Sequence, residues 1–139
     1  MMETSKLKEG LSQFWCTEQY HRQPFSLPYT DGVKYLADNA DAHWLIQDIS
    51  LPHMHLQQFK ERKMGITFWK LKKHEDDSAT LSCGDDEIEG KFVTFDEPGV
   101  PEPYSVRPVY SEDIPWTTFP LNEISIWMEN GVLILPSEH

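Results

Sequence analysis

YTDGVKYLADNADAHWLIQDI, residues 29–49, decides the fold class of this chain, because its apolar residues keep helical spacing twice in succession. Val33, Leu36, Ala37 and Ala40 recur at i, i+3, i+4 and i+7 and predict one amphipathic helix. Ala42, Leu45, Ile46 and Ile49 repeat the pattern and predict a second. Thr30 is placed to cap the first helix with its hydroxyl, and Asp31 lies where the positive end of the helix dipole favours a carboxylate. Asp41 is placed to cap the second helix and Pro52 to stop it. The carboxylates that look catalytic here have structural tasks, so most of the stretch reads as a frame and not as a working site.

Upstream, Leu7, Leu11, Phe14 and Trp15 share one stripe and predict a helix from Ser5 to Trp15. Gly10 lies inside it, at a cost of about 1 kcal/mol relative to alanine. CTEQYHRQPFSLP (16–28) breaks the periodicity. Downstream, HMHLQQFKERKM (53–64) reads equally as a loop or a short basic helix. From Ile66 the period becomes two: Thr67, Trp69 and Leu71 alternate with Phe68, Lys70 and Lys72, as in a strand. HEDDS (74–78) turns the chain into ATLSC, and GDDEIEG (84–90) reads as a polar connection into KFVTF. Residues 98–115 hold five of the ten prolines and read as an irregular excursion. ISIWM and VLIL flank Asn130-Gly131, the preferred centre of a type I′ hairpin turn, and Val132 to Leu135 suits a central strand. Helices first and strands afterwards predict a single α+β domain over residues 1–139, its N-terminal helices packed on an antiparallel sheet of about five strands.

A chain of 139 residues with 39% hydrophobic residues can bury a core without staples. No apolar run reaches membrane-spanning length and MMETSKLKEG has no apolar leader, so a cytoplasmic protein without a membrane span is expected. Cys16 and Cys83 are too few for a disulfide framework and read as small buried hydrophobes. The net charge of −11 is uneven: residues 1–73 carry 10 Lys/Arg against 8 Asp/Glu, residues 74–139 only 2 against 15. The second half should repel bare duplex DNA and attract a basic partner. Acidity that serves solubility alone is the plain alternative.

The blocks FWCTEQYHR, YTDGVKYLADNADAHWLIQDI, ATLSC and FPLNEISIWMENGVLILPSE, which keep this order over more than half the chain, resemble a small uncharacterised domain-of-unknown-function family. That family is associated with bacterial genomes, plasmids, conjugative elements and phages. Residues 98–115 lie outside the resembling blocks and read as an insertion. The resemblance implies a setting, mobile DNA, where small accessory proteins often inhibit host defences. It implies no activity, cofactor or catalytic residue.

Among residues that carry chemistry, Cys16, His21, His43, His53, His55 and Cys83 show no metal-ligand spacing, and no metal or cofactor is expected. Both cysteines lack a nucleophile motif, and neither Gly84 nor Gly90 opens a helix after a strand as a phosphate loop requires. Glu18, Tyr20, His21 and Arg22 cluster an acid, a phenol, an imidazole and a guanidinium before the capped helices. They define a candidate small-ligand or enzyme site with Tyr29, Tyr35 and Trp44 as walls; a loop tethered by Glu18 and Arg22 is the structural alternative. Lys60, Arg62, Lys63, Lys70, Lys72 and Lys73 form a basic patch, faced by Glu75-Asp76-Asp77 and by Asp85, Asp86, Glu87 and Glu89. In extended chain Glu87 and Glu89 would lie on one side, about 6.6 Å apart, like successive charges of a nucleic-acid backbone. The leading expectation is a non-enzymatic inhibitor of a nucleic-acid-handling defence protein, such as a CRISPR effector or restriction complex. It would block a basic surface with this acidic row, anchored by Tyr104, Tyr110 and Trp116. An immunity protein or antitoxin against a basic toxin follows the same charge logic.

Overall fold

The computed structural model describes residues 3–60 and 65–139. Its elements are α1 (Thr4–Leu11), β1 (Tyr20–His21), β2 (Tyr29–Thr30), α2 (Asp31–Ala40), α3 (His43–His55), α4 (Gln57–Lys60), β3 (Ile66–Lys73) and β4 (Ala79–Gly84). They continue with β5 (Asp86–Ile88), β6 (Lys91–Glu97), β7 (Val100–Ser105), β8 (Tyr110–Ile114), β9 (Glu123–Glu129) and β10 (Val132–Ile134), before a short 3-10 turn at Pro136–Glu138. The α+β class holds, but the main sheet has seven strands, ordered β1-β2-β10-β9-β3-β4-β8, not about five. All its pairings are antiparallel except β2 with β10. A second sheet, β5-β6-β7, has three strands.

The alternation read in β3 is the hinge of the layering. Thr67, Trp69 and Leu71 face the helices and are buried, as are Leu81 and Cys83 of β4 and Ile126 and Met128 of β9. They form one core with Leu7 and Leu11, the predicted stripes of α2 and α3, and Phe59 of α4. Each large aliphatic or aromatic side chain so buried stabilises the fold by about 1.5–3 kcal/mol. Asn130 and Gly131, at φ 51° and 83°, close the β9–β10 hairpin as the sequence predicts.

Several boundaries differ from expectation for local reasons. Helix α1 ends at Leu11, where Ser12 Oγ donates to the Glu9 carbonyl at 2.6 Å. Phe14 still packs on the core against Tyr35, but Trp15 is exposed. Asp41 does not cap α3; it closes α2 in the left-handed conformation (φ 50°), which a short polar side chain tolerates. Pro52 does not stop α3, which runs on to His55. The basic segment Gln57–Lys60 is helical, and residues 61–64 lie outside the described residues. Residues 98–115 are not irregular: they form β7 and β8. Pro101 and Pro103 are tolerated because β7 is an edge strand and their missing N–H groups cost no ladder bond. GDDEIEG contains β5 and a Glu89-Gly90 turn (φ 52° and 79°) into β6.

The frame closes at Glu138. Thr30 Oγ1 accepts from Val33 N, the predicted cap, and donates to Glu138 Oε1 at 2.6 Å. The same carboxylate accepts from Gly32 N at 3.1 Å and from Leu135 N at 2.9 Å. A negative group thus sits at the α2 N-terminus, where free N–H groups and the helix dipole favour it. Glycine at position 32 is needed for this approach, because a Cβ there would come within 2.6 Å of Glu138 Oε1 and 2.7 Å of Leu135 Cδ1. Gly10 serves likewise in α1, where a Cβ would meet the Tyr35 hydroxyl at 2.1 Å. Glu138→Gln turns an amide group toward N–H donors and should cost about 1–3 kcal/mol. Gly32→Ala should cost at least as much, and both losses should appear as a lowered melting midpoint by circular dichroism.

Candidate functional site

The sequence-predicted loop is organised by a residue outside it. Asp31 Oδ2 accepts from Glu18 N (2.9 Å) and Gln19 N (3.4 Å), while Oδ1 meets His21 Nε2 at 2.7 Å. The His21 hydrogen bond, and then that from Glu18, hold the Asp31 carboxyl below its ordinary range. Glu18, Tyr20 and Arg22 remain exposed on the short edge strand and beside it. The tether is Asp31, not a Glu18–Arg22 pair.

The acidic row is divided by the pleat. Asp85 is buried, and its Oδ2 accepts from Phe95 N at 2.8 Å. Glu87 turns to the main sheet and pairs with Lys70 at 3.1 Å. Glu89 is in the turn, so it does not continue a line with Glu87. Asp86 and Glu89 stay exposed, joined on the same small sheet by Asp96, Glu97 and Glu102. Every residue from 96 to 104 is exposed, and Ile88, Val100, Tyr104 and Val106 present apolar surface among these charges. In the basic patch, Lys70 also lies 3.9 Å from Glu123, and Lys73 donates to the Phe119 carbonyl. The side chain of Lys60, with Arg62 and Lys63, lies outside the described residues. Trp116 is exposed, whereas Tyr110 turns inward. Cys16, expected to be buried, is exposed.

Tyr110 leads to the site that sequence reading missed. Along edge strand β8, Tyr110 and Glu112 alternate onto the helix side, where α3 brings Asp48, Leu51, Pro52 and His55 against them. Together with Leu56 they line a cavity of about 270 Å³. The Tyr110 hydroxyl donates to Glu112 Oε2 at 2.8 Å, and Glu112 hydrogen-bonds the Asp48 carboxyl. Burial first, and then the Glu112 charge, push Asp48 up to about 6; burial and Glu112 push Tyr110 up to about 12. Beneath the cavity, Phe59 and Trp69 hold the Tyr110 ring, with centroids 6.1 and 5.8 Å away. His53, in the segment that read equally as a loop or a short basic helix, sits in this aromatic cluster and accepts from Trp69 Nε1 at 3.0 Å. Burial pushes its ring down to about 4, so it is neutral there. Only the period-two phase of Tyr110 and Glu112 hinted at this site; Asp48 reaches it through tertiary packing.

Among the described residues no group of three or more His, Cys, Asp or Glu side chains converges as a metal site, and no helix is long and apolar enough to cross a membrane. The described residues form a helix-layered α+β fold with an acidic second sheet and a carboxylate-lined cleft between α3 and the sheet edge. The chain belongs to a family of unknown function (DUF6876), whose sequence model matches residues 5–139, a span that runs through residues 98–115. No curated protein and no solved structure gives a significant match.

The cleft makes a signed prediction. Asp48 binds its proton more tightly in the fold than in the unfolded chain (ordinary value 3.8). Its favourable contribution is therefore complete below about 3.8 and is lost as pH rises through about 6. His53 acts oppositely: the unfolded ring charges below 6.5 while the buried ring resists, so stability falls as pH drops from 6.5 toward 4. Asp48→Asn should stabilise the protein by about 1–2 kcal/mol at neutral pH, after discounting for partial exposure. The gain should vanish near pH 4, as read from urea unfolding at several pH values.

Proposed function

We propose that this protein is a non-enzymatic binding protein that docks on a basic surface of a partner through its second sheet. The supporting observation is the composition of that sheet: Asp86, Glu89, Asp96, Glu97 and Glu102 exposed around Ile88, Val100 and Tyr104, with Lys91 as the one cation between residues 85 and 105. Exposed apolar groups on a sheet of like charge supply contact area, and the carboxylates steer a positive partner and speed encounter. A nucleic-acid-handling defence protein offers such a surface, because it already holds phosphates with lysine and arginine. In this reading the protein is an anti-defence inhibitor that occupies the nucleic-acid groove. A basic toxin domain is the second partner class, favoured by the same charge and separable by the partner's identity.

Affinity capture with three baits tests the proposal: the parent, a variant of the second sheet (Asp86→Ser, Glu89→Gln, Glu97→Gln, Glu102→Gln), and an isocharge control. The control carries Glu9→Gln, Glu18→Gln, Asp41→Asn and Glu75→Gln, all at exposed positions. Parent and control should retain the same basic nucleic-acid-handling protein, and the sheet variant should lose it. Equal retention by all three, or equal loss by both variants, would remove the second sheet from the interface.

A further inference from the structure

The cleft between α3 and β8 has two walls of different kind. Asp48, Glu112 and Tyr110 form the polar wall, and its one phenolic O–H already donates to Glu112. Pro52 has no N–H to return to the Asp48 carbonyl four residues back, so the helix supplies no α-helical donor at that rung either. The polar wall therefore offers acceptors. Leu51, Pro52 and Leu56 form the aliphatic wall, and His55 stands at the exposed rim.

We propose that this cleft binds an organic cation, its ammonium or guanidinium head held between Asp48 and Glu112 and its alkyl stem laid along Leu51, Pro52 and Leu56. Two facing carboxyls repel an anion. A purely apolar occupant would strip them of water without supplying a donor. A head with several N–H groups replaces the hydrogen bond between the two carboxyls by charge-assisted bonds to both, and a guanidinium spans such a pair without distortion. The Tyr110 ring is already fixed by Phe59 and Trp69, so little ordering cost remains to be met on binding. A volume of about 270 Å³ suits a head and a short stem. Such a group comes from a free alkylamine or from a lysine or arginine side chain of a polypeptide. The proposal stands apart from the second sheet and does not need it.

Two-dimensional amide NMR of the full chain tests it, at about 150 mM salt so that diffuse attraction is screened. The probes are agmatine, acetyl-Gly-Arg-Gly-amide and the neutral analogue butylurea. At least one cationic probe should give saturable shifts confined to Asp48, Leu51, His55, Tyr110, Glu112 and their neighbours. Butylurea should give none, and Asp48→Asn with Glu112→Gln should weaken the cation about tenfold or more. Agmatine binding with the peptide excluded assigns a free amine; peptide binding assigns a side chain. Shifts in the parent that never saturate or that spread over the whole acidic surface overturn the proposal, as does undiminished binding by the variant.

Discussion

One carboxylate fastens the two ends of this fold. Glu138 accepts from Thr30 Oγ1, Gly32 N and Leu135 N, joining groups more than 100 positions apart in the chain. The interaction satisfies donors at the start of α2 that the helix itself cannot satisfy, and it places β2 beside β10 in the one parallel pairing of the sheet. With α2 fixed, the left-handed turn at Asp41 sets the direction of α3 within two residues. Helix α3 then lies where Asp48 meets Glu112 across the sheet edge. The cleft is thus a consequence of a clamp formed elsewhere.

Polar groups in the two regions are treated differently, and that contrast separates frame from site. Around α2 they are matched: Asp31 serves the Glu18–His21 segment, Glu138 serves the helix start, and Ser50 Oγ bonds Leu27 N and the Ile46 carbonyl. In the cleft two carboxyls share one place, and burial raises the cost of ionising Asp48. A fold that satisfies its polar groups in one layer and leaves like groups opposed in another carries its locally unfavourable residues where function is to be sought. Both the cleft and the second sheet are rich in acceptors, which is why positive chemistry is proposed for each, a head group for the first and a surface for the second.

What the sequence made legible follows from the range of each interaction. The stripes of α2 and α3, the Thr30 cap, the alternation of β3 and the Asn130-Gly131 turn are local, and the structure contains all of them. Tyr20–His21 and Tyr29–Thr30 are strands of two residues, too short to show a period. Prolines in 98–115 argued against strands because their edge position is a tertiary fact. Asp41 carried two local readings, and closing α2 prevailed over opening α3. The acidic run looked continuous, yet the pleat and one positive-φ turn divided Asp85, Glu87 and Glu89 among core, sheet contact and solvent. Asp48 and Glu112 are 64 positions apart, and only the packed fold brings them together.

The central claim, that the Glu138 clamp belongs to the cooperative core and positions everything built on α2, is tested most directly by native-state hydrogen exchange with denaturant. The Gly32, Val33 and Leu135 amides should open only with those of Trp69 and Leu71, at the same free energy and the same denaturant dependence. Opening of Gly32 and Leu135 at a free energy several kcal/mol lower, with little denaturant dependence, would show the clamp to be a frayed surface contact and contradict the account.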